Sequence, residues 1–308
     1  MAQIAAYEDV KVNRKQREVK GGHAWRTPFL PVPGGDKSEP QAFLAERVYN
    51  GGIRPHFHDV DQFQVIVSGG GTIGRHRLAI HSVHFARAYT PYGPLTPDEQ
   101  GLGFLTLRAQ HAAGQFIVPD RSEMLKGIPD RRPWQVTEPP NFDEAGEVSV
   151  HTFSKIKDDD GLAAFSLHLK PHARTSAPNP AASDGQYLII SQGSLMHEGK
   201  EHKAVTVVFV KPDEQAFQLA AGAHGLEALV LNFPRQSAQA QATALPAATA
   251  SAKFRVWQCA LCAFVYDEAK GMPDEGVAPG TRWEDVPESW TCPDCAATKG
   301  DFEMAVIA

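Results

Sequence analysis

Two cysteine pairs, Cys259-Ala-Leu-Cys262 and Cys292-Pro-Asp-Cys295, account for all four cysteines of the 308-residue chain, with 29 residues between them. Each Cys-x-x-Cys turn aims two sulfurs at one point, so the pairs together make a tetrahedral all-thiolate cage, a donor set that selects iron or zinc. Spacing alone leaves a redox iron and a structural zinc ribbon both open. A second constellation stands upstream, His56-Phe57-His58 followed by Gln62. In an extended strand alternate side chains share a face, so both imidazoles enter the same space, and Gln62 adds a third group from the adjoining stretch. Two histidines and an oxygen donor suit Fe(II), Mn(II), Ni(II) or Zn(II), with positions left open for a substrate or dioxygen.

The elements that must hold these groups read as short strands. Residues 62–68, 104–108, 187–191, 204–210 and 228–233 are β-branched or aromatic runs bounded by Gly, Pro and Asp, and helical periodicity is scarce, so the class is mainly β. Gln62-Phe-Gln-Val-Ile-Val-Ser-Gly69 aligns with Gln186-Tyr-Leu-Ile-Ile-Ser-Gln-Gly193. Each copy follows a histidine-bearing segment and precedes a proline turn, which suggests a duplicated barrel. Residues 236–252 carry no charge and little but Ala, Gln, Ser and Thr, the composition of a flexible linker. Gly69-Gly-Gly71-Thr-Ile-Gly74 has the spacing of a dinucleotide loop, but strand-like residues follow it where a helix would have to start, so it reads as a hairpin turn.

Around the cysteines, Phe264-Val-Tyr266-Asp267, then Pro279-Gly-Thr-Arg-Trp283 through Trp290-Thr-Cys292-Pro-Asp-Cys295, then Lys299-Gly-Asp-Phe302, resembles rubredoxin almost position for position over residues 254–308. The resemblance implies one iron on Cys259, Cys262, Cys292 and Cys295, carrying single electrons within an aromatic shell. Alanine stands at 263 and 296, where rubredoxins usually place glycine, and this bears on the redox potential. Gly52-Ile-Arg-Pro-His56-Phe-His58-Asp-Val-Asp-Gln62, with Gly69 beyond, resembles the first cupin motif. Here Gln62 replaces a glutamate, and the second motif, Pro91-Tyr-Gly93-Pro-Leu-Thr96, has Thr96 in place of histidine. His76, His81 and His84 are candidates to complete a site. The implied architecture is tandem cupin (double-stranded β-helix) barrels over 1–235, the first at about 40–110 and the second at about 150–235. The linker and a small rubredoxin-like domain at 253–308 follow. The second unit has His172-Ala-Arg174 instead of His-x-His, and no metal is expected there.

Residues 254–308 hold ten acidic and four basic residues, a net charge of −6 that equals the charge of the whole chain. An acidic module suits docking on a basic face of an electron partner. No secretory signal, membrane-length apolar run or basic stripe with interleaved aromatics is visible, so membrane and nucleic acid are not expected partners, and thiolates without disulfides fit the cytoplasm. Arg54, Arg75, Arg77 and Arg87 lie near the pocket strands and read as a solvated rim; turned inward, they would favour an anionic substrate. The expected function is an electron-fed iron oxygenase or related oxidoreductase. It would act on a small organic molecule at His56, His58 and Gln62, with an NAD(P)H-dependent rubredoxin reductase or similar donor as partner and a homodimer left open. The alternative is an electron carrier whose bicupin part is a non-catalytic docking or ligand-sensing module.

Overall fold

The computed structural model describes residues 2–19, 22–30, 38–126, 128, 131–235, 254–259, 264–295 and 297–305. The expected linker 236–252, Cys262, Ala263 and Ala296 lie outside the described residues. Among the described residues no helix is long and apolar enough to cross a membrane.

Two eight-stranded antiparallel sheets take the chain to the end of the second barrel. The first runs Gln135–Glu138, Val83–Ala86, Gln62–Ile73, Leu95–Arg108, Gln41–Arg47, Gly22–Leu30, Lys15–Val19, with His76–Leu78 beside Gln62–Ile73. The second runs Gln3–Ala6, Thr206–Val210, Gln186–His197, Gln218–Asn232, Ala163–Leu169, Val148–Lys157. Lys200–Lys203 and Arg174–Ser176 pair at its side. Corresponding strands start 122 to 124 residues apart: Gln41–Arg47 with Ala163–Leu169, Gln62–Ile73 with Gln186–His197, Leu95–Arg108 with Gln218–Asn232. The duplication therefore extends well beyond the eight residues in which the sequence displays it.

The repeat reaches backbone detail. Gly69 has φ +64°, and a Cβ there would stand 2.0 Å from the carbonyl oxygen of Gly101; Gly193 has φ +69°, with the Gly225 oxygen at 2.2 Å. Only glycine tolerates both the conformation and the approach. The glycine run 69–74 is thus the end of a long strand and its hairpin to His76–Leu78, as its lack of a following helix suggested.

Strand alternation then sorts the side chains. Phe63, Val65, Leu105 and Leu107 face outward and meet Tyr187, Ile189, Leu229, Leu231 and Phe233 in one cluster that joins the two barrels; Phe63 and Phe233 lie edge to face at 5.0 Å. The opposite faces line two lumens of different chemistry. In the second barrel the neighbouring positions Leu188, Val208 and Val230 are apolar, and the lumen is filled by aliphatic side chains. The matching positions in the first barrel are Gln64, His84 and Thr106, all buried. Burying polar groups costs free energy unless they are bonded, so the first lumen carries a burden that its duplicate has shed.

Candidate functional site

Strand Val256–Cys259 pairs with Val265–Asp267 on one side and Phe302–Ala305 on the other, which fixes Cys259 at a strand end. The amide of Cys259 donates to the Phe264 oxygen and that of Cys292 to the Ala297 oxygen, both at 2.8 Å. The Sγ atoms of Cys259 and Cys295 are 3.8 Å apart, and those of Cys259, Cys292 and Cys295 all lie within 4.8 Å of one another, buried. A metal–sulfur bond of about 2.3 Å puts tetrahedral sulfurs about 3.8 Å apart, so the three described thiolates fit a four-coordinate metal. Tyr266, Trp283, Trp290, Phe264 and Phe302 pack around them, with Trp283 and Phe302 at 4.8 Å between centroids. Such a shell keeps water from the sulfurs.

A buried carboxylate braces this shell. Glu268 is fully buried and accepts from the amides of Arg255 and Trp283, the indole of Trp257 and the guanidinium of Arg282, at 2.9 to 3.0 Å. Burial alone would raise its carboxyl, but these donors hold it down to about 2. A depressed carboxyl stabilises the fold above its ordinary titration range, and that contribution is lost as pH falls toward 2. Glu268→Gln is expected to cost the tail about 2 kcal/mol at pH 7, with the difference shrinking toward pH 2 in denaturant titrations read by the metal's visible absorbance.

The aromatic shell continues into the first barrel. Phe57, Val118 and Leu125 are buried in the same apolar cluster as the cysteines, with Tyr89 and Phe116 at its edge. The strand pairing explains this: His56–Phe57 pairs with Phe116–Ile117, and the alternation that turns His56 and His58 inward turns Phe57 outward onto the tail. At the rim Arg75 Nε lies 3.1 Å from Asp294 and its guanidinium caps the Phe264 ring at 4.9 Å.

Inside the barrel lies a cavity of about 660 Å³. His56 Nδ1 faces the carbonyl oxygen of Arg54 at 2.8 Å, and His58 Nδ1 faces that of Gly114. A carbonyl only accepts, so each ring carries its proton on Nδ1 and presents the Nε2 lone pair to the cavity. Burial pushes His56 down to about 4 and His58 well below the ordinary range, leaving both neutral at pH 7. Gln62 Nε2 donates to the Tyr92 hydroxyl at 2.5 Å, and that hydroxyl donates to His56 Nε2 at 3.0 Å. Arg108 donates to Gln62 Oε1 from Nε at 2.8 Å and from Nη2 at 2.5 Å, to Gln41 Oε1, and to His58 Nε2 at 3.2 Å. The structure brings His56, His58 and Gln62 together as their spacing suggests. The two imidazoles are in the tautomer that a divalent metal requires, while the oxygen of Gln62 is engaged by Arg108.

The other candidates lie elsewhere. Thr96 is exposed, and it is Tyr92, from the same Pro-x-Gly stretch, that enters the site. His81 packs on Phe142, His76 stands beside Asp294, and His84 is buried against Tyr92 and bonded to Thr137. Among the described residues only the three cysteines form a His/Cys/Asp/Glu cluster with metal spacing. The four arginines near the motif turn away from the cavity, each to an acid: Arg54 to Asp120, Arg75 to Asp294, Arg77 to Asp98, and Arg87 to Asp158 and Asp160. The cavity has instead Arg17, Arg26, Arg47 and Arg108. Arg108 had a signal in the sequence, since alternation along Phe104-Leu-Thr-Leu-Arg108 aligns it with Phe104 and Thr106.

Residues 256–302 match the rubredoxin family. A stretch of 51 residues is 61% identical to Rubredoxin-1 of Alcanivorax borkumensis, 17% of this chain and 94% of that protein. Identity to Rubredoxin-1 of Pseudomonas aeruginosa is 65% over 51 residues, 17% of this chain and 93% of that one. The barrels resemble a candidate dioxygenase from Nostoc punctiforme, with TM-score 0.51 and 13% identity over 76% of this chain and 83% of that one, a likeness of fold. The chain is mainly β, with two barrels in tandem and a C-terminal electron-carrier domain whose cysteines hold iron and whose partners are electron donors or acceptors. Through its C-terminal domain, the chain belongs to the rubredoxin family.

Proposed function

We propose that the protein is an electron-fed oxidoreductase, an oxygenase of a small organic molecule held in the first barrel. The observation that carries this reading is the position of Phe57. It lies between the two pocket histidines in the chain and is buried against the cysteine cluster on its other side. Electron transfer weakens steeply with the gap it must cross, and Phe57 is fully buried in the same apolar cluster as the cysteines. In a monooxygenation a substrate C–H and dioxygen become C–OH and water on receipt of two electrons and two protons, so a one-electron carrier is loaded twice per turnover. An NAD(P)H-dependent reductase would supply those electrons, in a reducing compartment such as the cytoplasm. A divalent metal on His56, His58 and Gln62 would supply dioxygen binding and activation. The chain's own residues keep both histidines neutral and hold their tautomers through backbone carbonyls, and the Tyr92 hydroxyl bonded to His56 Nε2 is the group that a metal at that nitrogen would displace into the cavity.

A second reading, an electron carrier with a non-catalytic barrel pair, is favoured by the Arg108 guanidinium between His58 and Gln62. Metal content separates the two: close to two irons per chain supports the oxygenase, one supports the carrier. With reductase, dioxygen and a screened substrate, the full-length protein is expected to consume NAD(P)H. His56→Ala should still accept electrons on its cysteine iron but lose the coupled consumption, and Phe57→Ala should slow it. Equal coupled turnover in His56→Ala would remove the barrel from the reaction.

A further inference from the structure

The first-barrel cavity is walled by four arginines, Arg17, Arg26, Arg47 and Arg108, and one carboxylate, Glu18, which is largely exposed and paired with His23. Arg108 is 5% exposed, and its donors all meet uncharged acceptors, Gln41, Gln62 and His58. Asp59, the acid whose field reaches it, is bonded to the amide of Ala113. Arg47 Nε is buried without a hydrogen-bond partner, and the Arg26 guanidinium lies 3.7 Å over the Phe43 ring. Among the described residues none of these four arginines forms an ion pair, whereas every arginine near the motif but outside the cavity has one. Buried charge is normally paired. Three half-buried or buried cations around one void therefore lack a counter-charge that the chain does not provide.

We infer that the first-barrel pocket binds a small organic carboxylate, anchored by Arg108 at depth and met by Arg47 and Arg26 nearer the mouth. This rests on the reading that the first barrel is the reaction site, and it names the substrate class for that site. A carboxylate matches the planar guanidinium fork. Ile53, Phe104, Trp25 and Phe43 also line the cavity, apolar surface that suits an organic body and offers nothing to a fully hydrated phosphate. The second barrel makes the comparison internal: at the position of Arg108 it has Asn232, bonded to Gln186, in a lumen already filled. Burial also lowers Arg108 to about 10 and Arg26 and Arg47 below the ordinary range, the condition that a bound anion relieves.

The test is calorimetric binding to the oxidised full-length protein without reductase. The probes are aliphatic and aromatic mono- and dicarboxylates of two to ten carbons, each with its neutral amide, and inorganic phosphate. At least one carboxylate is expected to bind, and its amide to bind at least about thirtyfold more weakly, as loss of a buried charge partner implies. Arg108→Met should weaken that carboxylate by at least about thirtyfold, while Arg108→Lys retains part of the affinity. Arg47→Met gives the same sign should Arg108→Met fail to fold. Phosphate binding as tightly as every carboxylate, amides binding as well as acids, or no carboxylate binding at all would overturn the assignment. Because nothing is turned over, binding without coupled oxygenation sinks only the proposed function, and turnover of neutral substrates alone sinks only this inference.

Discussion

Cys295→Ser is expected to unfold the tail domain and leave both barrels standing. The tail's described core is a few aromatic rings and three sulfurs, and a domain of this size buries too little surface to stand far above its unfolded state. In small metal-held domains the binding free energy, about 10–16 kcal/mol, is folding free energy, so losing one ligand removes most of what holds the tail. The joint between the barrels and the second barrel owe little to it: among the described residues, the cluster between them and the lumen of the second contain no tail residue. The variant should lose its visible absorbance and show a red-shifted emission, since three of the five tryptophans, Trp257, Trp283 and Trp290, lie in the tail. The barrel unfolding transition should persist, lowered only by the loss of the contacts on Phe57, Val118 and Leu125. A tail that keeps buried tryptophans without metal would show that the aromatic shell and Glu268 suffice on their own.

The same loss should uncover Phe57, Val118 and Leu125 on the first barrel. That docking face marks the limit of what could be read from the chain. The cysteine spacing, the aromatic positions and the strand repeat are local patterns, and a local pattern survives in sequence because turn geometry and period-2 alternation act over a few residues. His-x-His even implies that Phe57 faces away from the histidines. What it faces is set by how the tail folds back from more than half the chain away. Arg108 was legible only as a strand position, for a related reason. It meets Gln62 only once the barrel closes, across 46 positions, and the arginines close in sequence to the motif were the more visible ones. These proved to be paired outside the cavity. Tyr92 stands inside the Pro-x-Gly motif whose expected ligand is a histidine, and it brings a hydroxyl to the site instead.

His84→Val is expected to make the first barrel markedly less sensitive to acid. His84 is 1% exposed; its Nδ1 is bonded to Thr137 and its Nε2 has no hydrogen-bond partner. Burial, with the nearby His76 and His56 adding to it, pushes the imidazole down to about 3. An unfolded chain takes up that proton near 6.5, so the neutral ring's contribution is complete above 6.5, erodes as pH falls, and is gone below about 3. At about 1.4 kcal/mol per pH unit this amounts to about 3 kcal/mol between pH 7 and pH 4. The duplicate barrel supplies the substitution, since Val208 holds the same register opposite Leu188 that His84 holds opposite Gln64. Urea unfolding followed by far-ultraviolet circular dichroism should show the pH 7 to pH 4 stability gap shrink by about 3 kcal/mol. It should not close, because His56 and His58 titrate in the same direction. An unchanged gap would place the acid sensitivity on the barrel's other buried or half-buried histidines, His56, His58, His76 and His81. A buried histidine kept where its copy has valine, in ring contact with Tyr92 at 5.0 Å, is a stability cost borne on the side of the lumen that holds the polar network. This is the distribution expected if one barrel retains a site and the other supports it.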